Sequence, residues 1–196
     1  MSESKAKVRA SSPDHFAQDA PPVGTIELRV EHLSQMFDTL DPFPFAERDL
    51  DPEAEAYIVN WARELPRGIP LAIIVQMPSA EAKTPEAKKL PDAIRHYFET
   101  RAARKAAEKK DLFRIGRVYL AIGIAALVVC LSASQLAAAQ FGDSAFSAFL
   151  EEGLIIVGWV ANWKPLEIFL YDWWPLVRAR RLHLRLATAH VACKSY

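Results

Sequence analysis

The stretch VYLAIGIAALVVCLSASQLAAA, residues 118–139, runs for 22 residues without a charge. As a helix rising about 1.5 Å per residue it reaches about 33 Å, enough to cross a hydrocarbon core of about 30 Å. Nine of its residues are Leu, Ile or Val, and at roughly −0.3 to −0.6 kcal/mol each they favour insertion by about 3 to 5 kcal/mol. In a chain of 196 residues nothing else is large enough to surround such a helix as a soluble core. It reads as a transmembrane helix, and the other segments take their meaning from it.

A second crossing is less uniform. Residues 153–163 (GLIIVGWVANW) are uncharged, with Glu151 and Glu152 before them and Lys164, Glu167 and Asp172 after. A lysine at the bilayer centre costs about 2.5 to 3.5 kcal/mol, but at the boundary its ammonium reaches water at much smaller cost. Trp159, Trp163, Tyr171, Trp173 and Trp174 cluster here, as an aromatic belt at a lipid boundary does. The expectation is a second span over residues 148–170 with YDWWP at the surface. A helix lying in the interface without crossing is the competing arrangement.

Charge then sets orientation. Residues 101–117 contain Arg101, Arg104, Lys105, Lys109, Lys110, Arg114 and Arg117, and RARRLHLR at 178–185 adds four arginines. The intervening loop, 140–152, has no basic residue and three acids, Asp143, Glu151 and Glu152. The positive-inside rule puts both termini in the cytosol, which makes the expected localisation a multi-pass protein of an inner membrane. Anionic lipid headgroups are one expected partner of the basic clusters. Net charge is zero and the clusters flank the spans, so no nucleic acid is expected. The first 24 residues lack the apolar core of a secretory signal and read as a disordered leader. Cys130 and Cys193 form no framework for a disulfide or zinc site.

Before the membrane segment, TIELRVEHL (25–33) alternates Ile26, Leu28 and Val30 with Glu27, Arg29 and Glu31, the period of a strand with one wet face. Asp51 reads as a helix N-cap, with Pro52 at the first helical position and Glu53 and Glu55 in the first turn. Ala54, Tyr57, Ile58, Trp61 and Leu65 share one helical face, and Pro66 and Gly68 end it. LAIIV (71–75) is a continuous apolar run, expected as a strand covered on both faces. This β-α-β order predicts a right-handed crossover between adjacent strands. Two strands make a thin core, so a third element is needed: the next helix, another subunit or the membrane-proximal segment. The expected fold class is thus an α+β membrane protein. It comprises a cytosolic α/β domain over 25–90, a basic stalk helix over 91–117, a transmembrane hairpin and a basic tail over 171–196.

No catalytic, cofactor or metal motif stands out. Asp49, Asp51, Glu53 and Glu55 lie close together as a divalent-cation site would require, yet helix capping and solvated acids account for the same residues. His15, His32, His96, His183 and His190 lack the i, i+4 partner and glutamate of a zinc helix. An enzyme reading would need Asp49 or His96 to line a cleft. Ionisable or polar residues near the spans are stronger functional candidates: Glu152, Asn162, Lys164 and Glu167. Lys164 and Glu167 are spaced to pair on one side of a helix, and Pro165 between them removes a backbone donor. Gly116, Gly123, Gly153 and Gly158 form no small-xxx-small array.

Two segments, FPFAERDLDPEAEAYIVNWARELP (43–66) and EGLIIVGWVANWKPLEIFLYDWWP (152–175), resemble a family of bacterial two-span membrane proteins to which no activity is attached. The likeness covers about a quarter of the chain and implies bacterial origin and topology, with no catalytic residue to carry over. The order of α/β domain, stalk, two spans and basic tail is also similar to CorA-type magnesium channels. Their Gly-Met-Asn loop is absent, since the outer loop here reads AQFGDSAFSAFLEE. That likeness implies, as the alternative, a homo-oligomeric channel. The leading expectation is a non-enzymatic adaptor or assembly subunit, homo-oligomeric or bound to a protein partner. Its expected docking surface is Phe43, Phe45, Arg48, Asp49 and Asp51.

Overall fold

A computed structural model describes residues 23–142 and 144–196. All but the last two residues of the expected leader lie outside that range, as does Asp143. The alternation of GTIELR forms strand β1 (Gly24–Arg29), which ends sooner than the sequence pattern predicts. Beyond it the chain turns through a short 3₁₀ segment at Leu33–Met36, burying Leu33 and Met36. Helix α1 (Pro52–Glu64) starts at the Asp51 cap, whose carboxylate accepts the Glu53 amide at 2.8 Å. Strand β2 (Leu71–Met77) follows and pairs with β1 in parallel, Ile26 beside Ile73 and Leu28 beside Val75.

Helix α2 (Pro85–Phe141) is 57 residues long, about 86 Å at 1.5 Å per residue. Stalk and first apolar segment are therefore one rod, which begins at the Thr84 cap rather than near residue 91. Pro91 sits inside it. The return leg is helix α3 (Ala145–Ala161), a break at Asn162, helix α4 (Trp163–Glu167), a wide π turn over Ile168–Asp172, and helix α5 (Trp173–Ala187). Strand β3 (His190–Ser195) then pairs with β2 in parallel, Ile73 beside Val191 and Val75 beside Cys193.

The expected basic tail over 171–196 is thus corrected: α5 and β3 belong to the α/β domain, and β3 makes β2 the central strand. The third element that the thin core required comes from beyond the hairpin. Leu186 and Ala187 of α5 join Ile58, Val59 and Ala62 of α1 and Leu90, Ile94 and Phe98 of α2. Together they cover Ile26, Leu71, Ile73, Val75 and Met77. A second correction concerns β2. Its alternate residues Leu71, Ile73, Val75 and Met77 are buried while Ala72, Ile74 and Gln76 are half-exposed, so only one sheet face is covered. The other is wet, with Gln76 donating to Glu27 across the strands at 3.2 Å.

The hairpin contrasts with this core. Two helical stretches, Pro85–Gln140 and Ala148–Ala187, are long and apolar enough to cross a membrane, and only 22 % of the apolar window in each is buried. Ile122, Val129, Val160 and Trp163 are 59 %, 66 %, 66 % and 73 % exposed. A contiguous bare apolar surface on this scale marks contact with lipid or with other protein.

Candidate functional site

Small residues bring the two legs of the hairpin together. On α2 the buried positions Gly116, Gly123, Cys130 and Ala137 recur every seven residues, the spacing of a left-handed helix pair. A Cβ on Gly123 would lie 2.6 Å from Asn162 Oδ1, one on Gly158 2.7 Å from Leu127 Cδ1, and one on Gly116 2.9 Å from Ile168 Cγ2. A pattern of four-residue spacing does not reveal this heptad; of Gly116, Gly123, Gly153 and Gly158, Gly153 alone faces open space. Close backbones are what small residues permit between helices in lipid.

Asn162 stands at the break between α3 and α4. Its side-chain amide donates to the carbonyls of Gly123 at 3.0 Å and of Gly158 at 2.9 Å, tying the two legs. Lys164 Nζ lies 3.0 Å from Glu167 Oε2 and 3.5 Å from Asp172 Oδ2. Eight α-helical steps of about 100° would leave residues 164 and 172 about 80° apart around the axis. The π turn over Ile168–Asp172 takes less rotation per residue and brings Asp172 round to the lysine. Glu152 is exposed in the early turns of α3, so of the four candidates Glu152, Asn162, Lys164 and Glu167 only Lys164 and Glu167 are brought together.

The expected docking residues sit on a loop that is pinned rather than loose. Phe37 bridges Leu50, both buried, and the Phe37 and Phe45 rings lie 4.6 Å apart. Asp41 accepts the amides of Asp49 at 2.7 Å and Phe43 at 3.0 Å, and these bonds hold its carboxyl below the usual range. Clefts open on both sides of this loop. Phe45 and Arg48 line one of about 310 Å³ with His32, Glu81 and Thr84. Phe43 and Asp49 line the other, of about 130 Å³, with His96, Thr100 and Arg104. Asp51 joins neither, being committed to capping α1. The docking residues therefore divide between two clefts.

Asp49 and His96 do share a cleft, which is the mark an enzyme reading would need. Among the described residues no hydrogen bond links His96 to Asp49 or Thr100, so no proton relay is assembled there. Among the same residues no group of three His, Cys, Asp or Glu side chains converges as metal ligands. Glu55, one of the four clustered acids, turns instead to Arg101 at 3.1 Å.

That ion pair belongs to a polar junction that sequence reasoning missed. Arg101 Nε also donates to the Tyr97 hydroxyl at 2.8 Å. Burial, with Glu55 nearby, raises the Tyr97 pKa well above its ordinary value. Beside them His183 of α5 is only 7 % exposed, its ring 6.1 Å from that of Phe98. Its Nδ1 is buried without a hydrogen-bond partner among the described residues. Burial depresses the His183 pKa, Glu55 opposing and Lys105, Arg101 and Arg63 adding to the effect. Nothing in RRLHLRL announces a buried imidazole, because α1 and α2 supply its walls. Comparison with protein-family models, curated proteins and solved structures gives no match to the chain.

Proposed function

We propose that the chain is a non-enzymatic adaptor or assembly subunit of a bacterial inner membrane. Its hairpin crosses the bilayer twice, and its α/β domain stands at the cytosolic face to dock a protein. The observation that supports this most is the pairing of β3 with β2. A chain that leaves a three-stranded sheet through an apolar rod and returns to the same sheet must cross a membrane an even number of times. The bare apolar surface of α2 and α3 supplies the reason for crossing, and the basic residues beside residue 118 with the acidic outer loop supply the direction. Docking is supported by the pinned loop, with Phe43 exposed at its tip between two clefts.

Flotation of native membranes on a density gradient tests the anchoring, and reporter fusions test the topology. The chain is expected at the bilayer density, with a reporter near residue 142 outside and one after β3 inside. Recovery in the soluble fraction, or both reporters on one side, would refute the reading. Crosslinking from residues 41–49 in intact membranes then tests docking, and a uniformly uncrosslinked chain would count against it.

A further inference from the structure

Positive charge on the stalk extends further from the lipid than attraction to lipid explains. Helix α5 carries Arg178, Arg180, Arg181 and Arg185 and no acid. Arg185 is engaged within its own domain, donating to the carbonyls of Pro66 and Ile69 at 2.8 and 2.9 Å. The other three are exposed, and among the described residues none has an ion-pair partner. Their height follows from the pairing of α2 with the return leg, where Phe98 meets His183 and Gly116 meets Ile168. Between these anchors Arg178 and Arg181 lie level with α2 residues 100–106, roughly 20 to 25 Å from Val118. Headgroups reach only about 5 to 8 Å beyond the hydrocarbon, and the screening length in physiological salt is about 8 Å. Counted along the return leg from residue 170, Arg178 and Arg181 stand about 12 and 17 Å beyond the hydrocarbon, so they clear the headgroups by about one screening length.

A complementary surface lies at the same height on the same chain. Residues 38–55 contain seven acids and one arginine, and their cleft is closed by His96, Thr100 and Arg104 of α2. Phe98 and Ala102 face α5 instead, and two residues at about 100° each put these flanks about 200° apart. The domain is thus basic on one flank and acidic on the opposite one, although the chain is neutral overall.

We infer that copies of this chain associate side by side in the membrane, Arg178 and Arg181 of one copy against Glu47 and Asp49 of the next. The inference rests on the membrane reading proposed above and names the docking partner as a second copy. The bilayer holds every copy at one level, so opposite charges at equal height meet without further alignment. Because the two flanks face away from each other, the contact is head to tail and closes as a ring or continues as a row.

The test uses the full chain carrying one fluorophore, reconstituted in phosphatidylcholine vesicles, with bleaching steps counted per spot and flotation run on the same vesicles. Multi-step spots are expected for the unmodified chain. The R178E/R181E double variant should lower the association constant about tenfold, as should E47K/D49K. A mixture of the two variants should recover association, because each repels itself and attracts the other, a recovery that misfolded chains cannot give. Floating vesicles with single-step spots would overturn the inference and leave the membrane reading standing. Association unchanged in both variants, or a mixture that fails to recover, would also overturn it. A chain that fails to float would end both.

Discussion

The thiol of Cys193 lies 3.6 Å from the carbonyl oxygen of Ala87. Pro91, four residues further along α2, lacks the amide that would have satisfied this oxygen. A strand from beyond the hairpin thereby closes a gap that a proline opens in the rod before it.

Replacing Cys193 by Ala should leave that carbonyl unpaired and lower stability by about 0.5 to 1.5 kcal/mol. In a Pro91→Ala background the helix provides its own donor, and the same replacement should cost measurably less. Thermal unfolding of the four chains in detergent completes the cycle; equal costs in both backgrounds would break the link.

Gly123→Ala should destabilise the hairpin by about 1 to 3 kcal/mol through overpacking against Asn162. Asn162→Ala removes two hydrogen bonds and should cost roughly 0.6 to 1.7 kcal/mol. Because Asn162 Oδ1 is what the new methyl strikes, the double variant should fall short of the sum. Denaturation in mixed detergent micelles reads the three values, and strict additivity would contradict the packing described.

His183 should make the domain sensitive to acid. Its folded pKa lies below the unfolded value of about 6.5, so the unfolded chain binds the proton more readily. Stability is therefore full above about pH 6.5 and declines as pH falls towards the folded value. His183→Leu should remove this part of the slope, while Glu55, Arg101, Lys105 and Arg63 stay in place. Denaturant midpoints between pH 5 and 8 measure it, and an unchanged slope in the variant would place the effect elsewhere.

Ending the chain at residue 189 should do more than trim a tail. Without β3, strand β2 loses its pairing from Ala72 to Met77 and becomes an unprotected edge. Limited proteolysis of the vesicle-bound protein should then cut within residues 30–80 at rates well above those of the full chain. Equal resistance would mean that β3 contributes little to the sheet.

Much of this architecture is legible in the sequence because one short stretch suffices to specify each part. The alternation of Ile26 and Leu28, the Asp51-Pro52 cap and the 22 uncharged residues from 118 each fix a local conformation. What escapes is what depends on distant neighbours. HVACKS is short and half polar, and it becomes a strand because β2 offers an open edge. Leu182 and Leu186 are spaced as a helical face, but four arginines around them make the segment read as a solvated tail. LAIIV looks fit for burial on both sides, and only the arrangement of the helices shows that one side stays wet. In the apolar hairpin, Cys130 breaks the visible run of glycines although it occupies the same heptad position. The two clefts beside residues 41–49 arise from the fold of a loop whose proline and acid content signals only a turn.

The position of β3 after the hairpin also orders biosynthesis. The ribosome makes β1 and β2 first and reaches β3 about 110 residues after Met77, about 6 to 20 s later at the usual elongation rates. During that interval the nascent domain holds a two-stranded sheet with an uncapped edge, and on the membrane reading proposed above the apolar segments would enter the bilayer before the domain can finish folding. Completion of the sheet would then follow insertion of the hairpin. A nascent chain whose hairpin stalls outside the bilayer would keep that edge exposed to chaperones and proteases.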